Sequence, residues 1–199
     1  MLLVIETAFE MLSVALLDGE RVIAEVHRHV GRGHAETLMP AVATVVNGHG
    51  ATITGVLVDV GPGSFTGLRI GIAAARALGL AWGVPVTGVG SLTLIAAAAF
   101  AHAAGLDEVA VVADAGRGQV YWQVFDREFN TGAIPQATAP SHVNVSATVA
   151  IAGSGAALIA RDSIGPAHGR AADAMIVPLA QRGLIPSPIY SRSPDGTTA

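Results

Sequence analysis

Between Arg76 and Asp107 the chain carries no charged residue, and this stretch narrows what the rest can become. It is long enough to cross a bilayer as a single helix. Gly83, Pro85, Gly88 and Gly90 interrupt it, however, and divide it into shorter pieces. Read with those breaks, the spacing predicts a helix over Leu68 to Trp82, a short strand over Val84 to Val89 and a helix over Leu92 to Ala104, all buried in an α/β core. A chain of 199 residues that is 51% hydrophobic and 13% charged can fill such a core, as one domain or two small lobes.

The segments before this stretch set the topology. Leu2 to Thr7 is an apolar run ending in two polar residues, which suits a central strand that stops at a site. Ser13 to Leu17 and Arg21 to Val26 read as the next two strands, and Asp18-Gly19 between them suits a tight hairpin. From His34 the period changes. Leu38, Ala41, Val42 and Val45 recur at helical spacing, Glu36 sits in the first turn where negative charge favours the dipole, and Asn47-Gly48 closes the helix. Val56 to Val60 is then a buried strand. Antiparallel strands followed by βα repeats imply a mixed sheet with helices on its faces. The leading fold class is therefore α/β of the ribonuclease-H-like kind, which also forms each lobe of actin-like ATPases and sugar kinases. Beyond Gly105, Val109 to Asp114 and Gln119 to Phe125 read as strands paired around Gly116-Arg117-Gly118, with a further strand at Ala150 to Gly153. The expected division is a first lobe over 1–105 and a smaller, truncated second lobe over 106–199.

Composition excludes several chemistries. All 11 basic residues are arginines, and there is no cysteine. A P-loop lysine, a Schiff-base lysine, a thiolate nucleophile, a zinc-thiolate site and a disulfide are thereby absent. The net charge of -4 argues against a chain that grips RNA or DNA by itself, because that affinity comes from many cationic side chains releasing counterions. Met1 to Ile5 lacks the positive charge that precedes a secretory apolar run, and Glu6 follows at once, so the expected compartment is the cytoplasm.

The sharpest local motif is Gly61-Pro62-Gly63-Ser64-Phe65-Thr66-Gly67, directly after one strand and directly before a helix. Such a turn aims backbone N–H groups from the positive end of the helix, where Gly61, Gly63, Ser64, Thr66, Gly67 and Arg69 could receive an anion. The other reading is a tight turn with Ser or Thr capping the helix. The spacing fits neither a dinucleotide fingerprint nor a nucleophile elbow. His34-Ala35-Glu36 matches half of a zinc-deaminase motif whose cysteine half is missing, so it reads as an ordinary helix start. His27 and His29 read as surface histidines, for want of a third ligand. Glu6 and Thr7 at the end of the first strand, and Asp114 at the end of a later one, are candidates to face a common cleft. Gly71, Ala75 and Gly79 share one helix face, which admits close approach either by the chain's own sheet or by another subunit's helix.

Together these segments resemble the bacterial TsaB (YeaZ) family. The likeness is carried by Leu3-Val4-Ile5-Glu6-Thr7-Ala8, Ser13-Val14-Ala15-Leu16, the stretch from Gly33 through Pro40, and the turn from Gly61 through Gly71. It continues through Val86 to Leu92 and Asp114 to Trp122, and returns at Pro188-Ile189-Tyr190 and Arg192. The resemblance implies an actin-like fold and a noncatalytic part beside TsaD, with the ATPase TsaE, in making threonylcarbamoyladenosine next to the anticodon of tRNAs. TsaD-like chains carry an H-x-x-x-H metal pair where this sequence has Ser91 and Ile95, and isoleucine cannot hold a metal. The resemblance therefore implies a pseudo-enzyme without catalytic or metal residues. Its partner would be gripped through first-lobe helices, at His34, Glu36 and Leu38 and at Gly71, Ala75, Arg76 and Gly79. The same surface could form a homodimer. No resident cofactor is expected; ATP or ADP would sit, if anywhere, at the complex interface, and tRNA would be held through the partner. Two departures stand out: Glu6 replaces a usual aspartate, and Gln119 a frequent glutamate. The rival expectation is an independent actin-like ATPase or small-molecule kinase using Glu6, Asp114 and the glycine turn around magnesium.

Overall fold

The computed structural model describes residues 1–132 and 135–191. Arg192, the last position of the family-like motif, lies outside the described residues. The chain opens with β1 (Leu2–Glu6), β2 (Met11–Asp18), β3 (Arg21–His29) and α1 (His34–Val46). It continues with β4 (Gly55–Asp59), α2 (Phe65–Trp82), β5 (Val86–Val89) and α3 (Ser91–His102), followed by β6 (Glu108–Gly116), β7 (Gln119–Asp126) and β8 (Ala150–Ala152). The first five strands form one sheet in the order β3-β2-β1-β4-β5. Its first three strands are antiparallel, whereas β4 runs parallel to both β1 and β5. A second sheet, β7-β6-β8, pairs β6 antiparallel to β7 and parallel to β8. This is the α/β ribonuclease-H-like architecture of actin-like ATPases.

Alternation along the strands decides what each face covers. Leu3, Ile5, Leu12, Val14, Leu16, Val56 and Val58 point to the layer of α1 and α2. Val4, Ala15 and Leu57 point the other way, into a core shared with Val109, Val111 and Phe125 of the second sheet. Helix α3 lies in that shared core, with nine of its twelve residues buried. A helix enclosed on all sides has no room for a polar stripe, and this accounts for the α3 part of the uncharged run.

Residues beyond β8 do not stay with the second sheet. A short 3-10 turn, Ala171–Met175, packs across β1, β2 and β3. There Arg170 pairs with Glu25, and the Ala171 amide donates to Ser13 Oγ at 2.9 Å. Further on, Leu184 exchanges two backbone hydrogen bonds with Gly88, and the Ile189 amide donates to the Val60 carbonyl at 2.7 Å. The stretch after residue 163 thus covers one face and one edge of the first sheet. The 105/106 point separates the two sheets, but the chain crosses it again.

The small-residue face of α2 closes on the chain's own sheet. A Cβ added at Gly71 would strike Thr7 Oγ1, one at Gly79 would strike Val86, and Ala75 is fully buried. These three positions, expected as partner contacts, are sealed inside, because the close approach they permit is spent on β1 and β5. Gly67 sits tightest, since a Cβ there would strike the Thr7 carbonyl oxygen, a backbone atom that cannot rotate away. Gly67→Ala should therefore lower stability by about 2 kcal/mol, against a helix-propensity gain of about 1 kcal/mol. Ala77→Leu, on the exposed face of α2, should stay within about 0.5 kcal/mol of wild type. Urea unfolding of both variants checks the contrast.

Candidate functional site

The ends of β1 and β4 meet under the glycine turn. Both strands run parallel, with Ile5 opposite Val58, so Glu6 and Asp59 occupy the next pair of positions and leave the sheet at the same end. The Gly61–Pro62 peptide is cis, and Gly61 has φ 106°, a backbone region that favours glycine. From there residues 62–67 fold over the Thr7–Ala8 turn. The Ser64 amide donates to the Ala8 carbonyl at 2.6 Å, and Thr7 Oγ1 donates to the Gly67 carbonyl at 2.9 Å. Ser64 caps α2 by accepting from the Gly67 amide at 3.2 Å. Gly61, Ser64 and Gly67 thus direct their N–H groups to Asp59, Ala8 and Ser64. Of the two readings of this turn, the capping one describes these donors, and Thr66 and Arg69 face solvent.

Glu6 and Thr7 do not face a cleft. Both are buried: Glu6 Oε1 accepts from the Ala8 amide at 2.8 Å, and Thr7 reaches back to α2. Asp59, not singled out by the sequence reading, is fully buried beside Glu6. One of its oxygens, Oδ1, accepts from the Gly61 amide at 2.7 Å and from Ser91 Oγ at 2.6 Å. Burial pushes the Glu6 carboxyl well above its ordinary range, and the neighbouring Asp59 charge pushes it further. Burial also pushes Asp59 up to about 7, against the opposing hydrogen bonds from Ser91 and Gly61. The signal that could have found Asp59 is positional: it ends the strand that enters the glycine turn, as Glu6 ends its parallel neighbour.

Asp114 lies apart from this pair. It is exposed, accepts from the Gly116 amide at 2.7 Å, and lines an open cleft of about 830 Å³. Phe9, Glu10, Arg32, Phe65 and Tyr121 also border that cleft. At its mouth the Arg69 guanidinium lies 3.7 Å from the Phe65 ring centroid, while Nε donates to the Tyr190 hydroxyl at 2.9 Å. The carboxylate pairing expected of a magnesium-dependent kinase is not assembled, because Glu6 points inward and Asp114 outward. Ser91 is the hydrogen-bond donor to Asp59, and Ile95 packs in the shared core. Among the described residues, no group of three or more His, Asp or Glu side chains is arranged to hold a metal ion, and no helix is long and apolar enough to cross a membrane.

The expected partner-contact residues divide by side. His34 and Leu38 are buried, and His34 Nε2 lies 3.2 Å from the Met11 carbonyl oxygen. Their side chains seat α1 on β2 and, like the small residues of α2, are buried within this chain. Glu36 and Arg76 are exposed. The histidines are also less scattered than the sequence suggests: His29 and His168 approach the two Glu10 oxygens at 3.4 and 3.6 Å. Burial, with Arg170 nearby, holds His27 below its usual range.

The family described as TsaD, tRNA N6-adenosine threonylcarbamoyltransferase, matches residues 23–166. Over 145 residues the chain is 33% identical to the tRNA threonylcarbamoyladenosine biosynthesis protein TsaB of Bacillus subtilis, a match covering 71% of this chain and 61% of that protein. Its counterpart from Escherichia coli is 36% identical over 132 residues, covering 65% and 56%. The matched region spans less than two thirds of either relative. A solved structure from Pseudomonas aeruginosa, of an uncharacterized protein with similarity to peptidase YeaZ, superposes with TM-score 0.80 at 26% identity. That match covers 96% of this chain and 99% of the other.

Ser91 is the side chain that most directly supports the ionised form of Asp59. Ser91→Ala should cost about 1–2 kcal/mol at pH 8 and less at pH 5, where protonated Asp59 needs the donor less. Urea unfolding at the two pH values measures the difference.

Proposed function

Because the chain belongs to the TsaB (YeaZ) family, within the wider threonylcarbamoyltransferase group, we propose that it is the noncatalytic subunit that binds a TsaD-like catalytic partner in threonylcarbamoyladenosine modification of tRNA. The observation that carries this reading is the outward side of α2. One face of the helix is locked onto the sheet, yet the opposite face exposes Arg69, Ala73, Arg76, Ala77 and Leu80, with Leu80 86% exposed. Beside it α1 exposes Met39 and Pro40. Two adjacent helices with apolar outward positions, fixed on a rigid sheet, supply a preformed docking surface.

The chemistry of the interior supports the noncatalytic part. Ser91 and Ile95 serve the core, and the amides of Gly61, Ser64 and Gly67 are bound within the chain. Arginines 69 and 76 flank the apolar positions of α2 and suit an acidic rim on the partner. In this reading a TsaE-like ATPase joins the pair in the cytoplasm, ATP or ADP binds where the subunits meet, and the partner supplies most contacts to tRNA. A homodimer through the same helices forms when the partner is absent.

Leu80→Asp changes only an exposed side chain, so the fold should persist. It should weaken binding to the TsaD-like subunit at least tenfold, about 1.4 kcal/mol, and reduce modified tRNA in proportion. Calorimetry and a modification assay read the two effects. Full modification by the TsaD-like and TsaE-like proteins without this chain would refute the reading.

A further inference from the structure

Glu6 and Asp59 are two carboxyl groups buried side by side, and among the described residues no cation acts on either. Neither is more than 3% exposed, and neither Glu6 Oε2 nor Asp59 Oδ2 has a hydrogen-bond partner. Their strands are paired neighbours, with backbones about 4.8 Å apart in such a sheet. The charged groups of the surrounding elements are few. In α2 they are Arg69 and Arg76, both exposed, and α3 has only His102 at its far end. β5 has none, Asp18 ends β2 at the opposite end of the sheet, Glu10 in the loop before β2 is exposed, and the 3-10 turn packed on β1 carries Asp173, with Arg170 just before it paired to Glu25 of β3.

We propose that Glu6 and Asp59 share one proton at neutral pH, held between Oε2 and Oδ2, and that this shared proton clamps the two turns from which α2 starts. Two negative charges in this pocket would repel each other without compensation, whereas one proton gives both orphan oxygens a partner. The remaining oxygens are already committed to the turns: Glu6 Oε1 to the Ala8 amide and Asp59 Oδ1 to the Gly61 amide. Loss of the shared proton places a second charge in the pocket and pushes the strand ends apart, loosening residues 7–8 and 61–64 together. The pair titrates as a unit, with both ionisations raised above the ordinary carboxyl range.

The linkage has a definite sign. A carboxyl raised in the folded state binds more protons there than in the unfolded chain, so its stabilising contribution is complete below about pH 4 and is lost as pH rises through about 7. One retained proton increases the unfolding equilibrium constant about tenfold per pH unit across that window. Asp173, raised to about 6 by burial, acts in the same direction, and variants of the pair subtract its effect.

Carbon-detected NMR of the two carboxyls in the wild-type chain is the primary test, and it requires no partner protein. We expect one of them to ionise near or above neutrality, the Ala8 and Gly61 amides to lose hydrogen-exchange protection through the same transition, and Glu6→Gln to flatten the pH dependence of urea unfolding. Should Glu6→Gln fail to fold, Asp59→Asn provides the same comparison. Two carboxyls that both ionise below about pH 5 in the wild type, or a transition that leaves both amides equally protected, would overturn the proposal.

Discussion

The contact between the Thr7–Ala8 turn and the start of α2 is made on glycines, with the Thr7 carbonyl and hydroxyl directly against the helix. Gly63, Gly67 and Gly71 make it by omitting a Cβ, and each would collide with Thr7 or Ala8 if it carried one. This closeness fixes the height of α2 above the sheet and thereby which residues of the helix are buried. It also shuts solvent out of the space beneath the turn. Glu6 and Asp59, which leave the strand ends toward the face of α3, are buried at the same end of the sheet.

A second constraint follows from α3. The helix is touched by both sheets, so it needs apolar side chains on every side, and alanine predominates because two layers must approach it closely. Lost helical amphipathicity here is the cost of serving two cores. Of the exposed large apolar side chains, Met39, Phe65 and Leu80 lie on α1 and α2, whereas Leu158, Ile176, Leu179, Leu184 and Ile185 lie in the segment after β8.

The sequence shows the two kinds of feature unequally. Periodicity and breakers were enough to place β1 through β7 within a few residues, because alternation and helical spacing are local. Ser64 explains why α2 begins at Phe65 and not at Leu68: the cap lies inside what reads as a loop. Asp59 was missed because its importance is nonlocal. Only strand pairing brings it beside Glu6, and no pattern within Gly55–Asp59 announces it. The small-residue face of α2 was ambiguous for a related reason, since Gly71, Ala75 and Gly79 signal close approach without naming what approaches. Arg170, Glu25 and Ser13 meet across more than a hundred residues of chain, and nothing in the local composition of 164–191 marks it as covering for the first sheet.

That late segment bears on how the molecule is made. The central sheet is encoded almost wholly in the first half of the chain, yet β5 stays an open edge, and the face over Ser13 stays bare, until the residues around 170 and 184 have been synthesised. For much of translation the nascent chain therefore carries a finished hydrophobic layer with an unpaired border, the condition under which strands from neighbouring polypeptides stick to one another. Arginine 170 and leucine 184 act in this respect as closing stitches, and the window before they emerge from the ribosome is when a chaperone has most to protect.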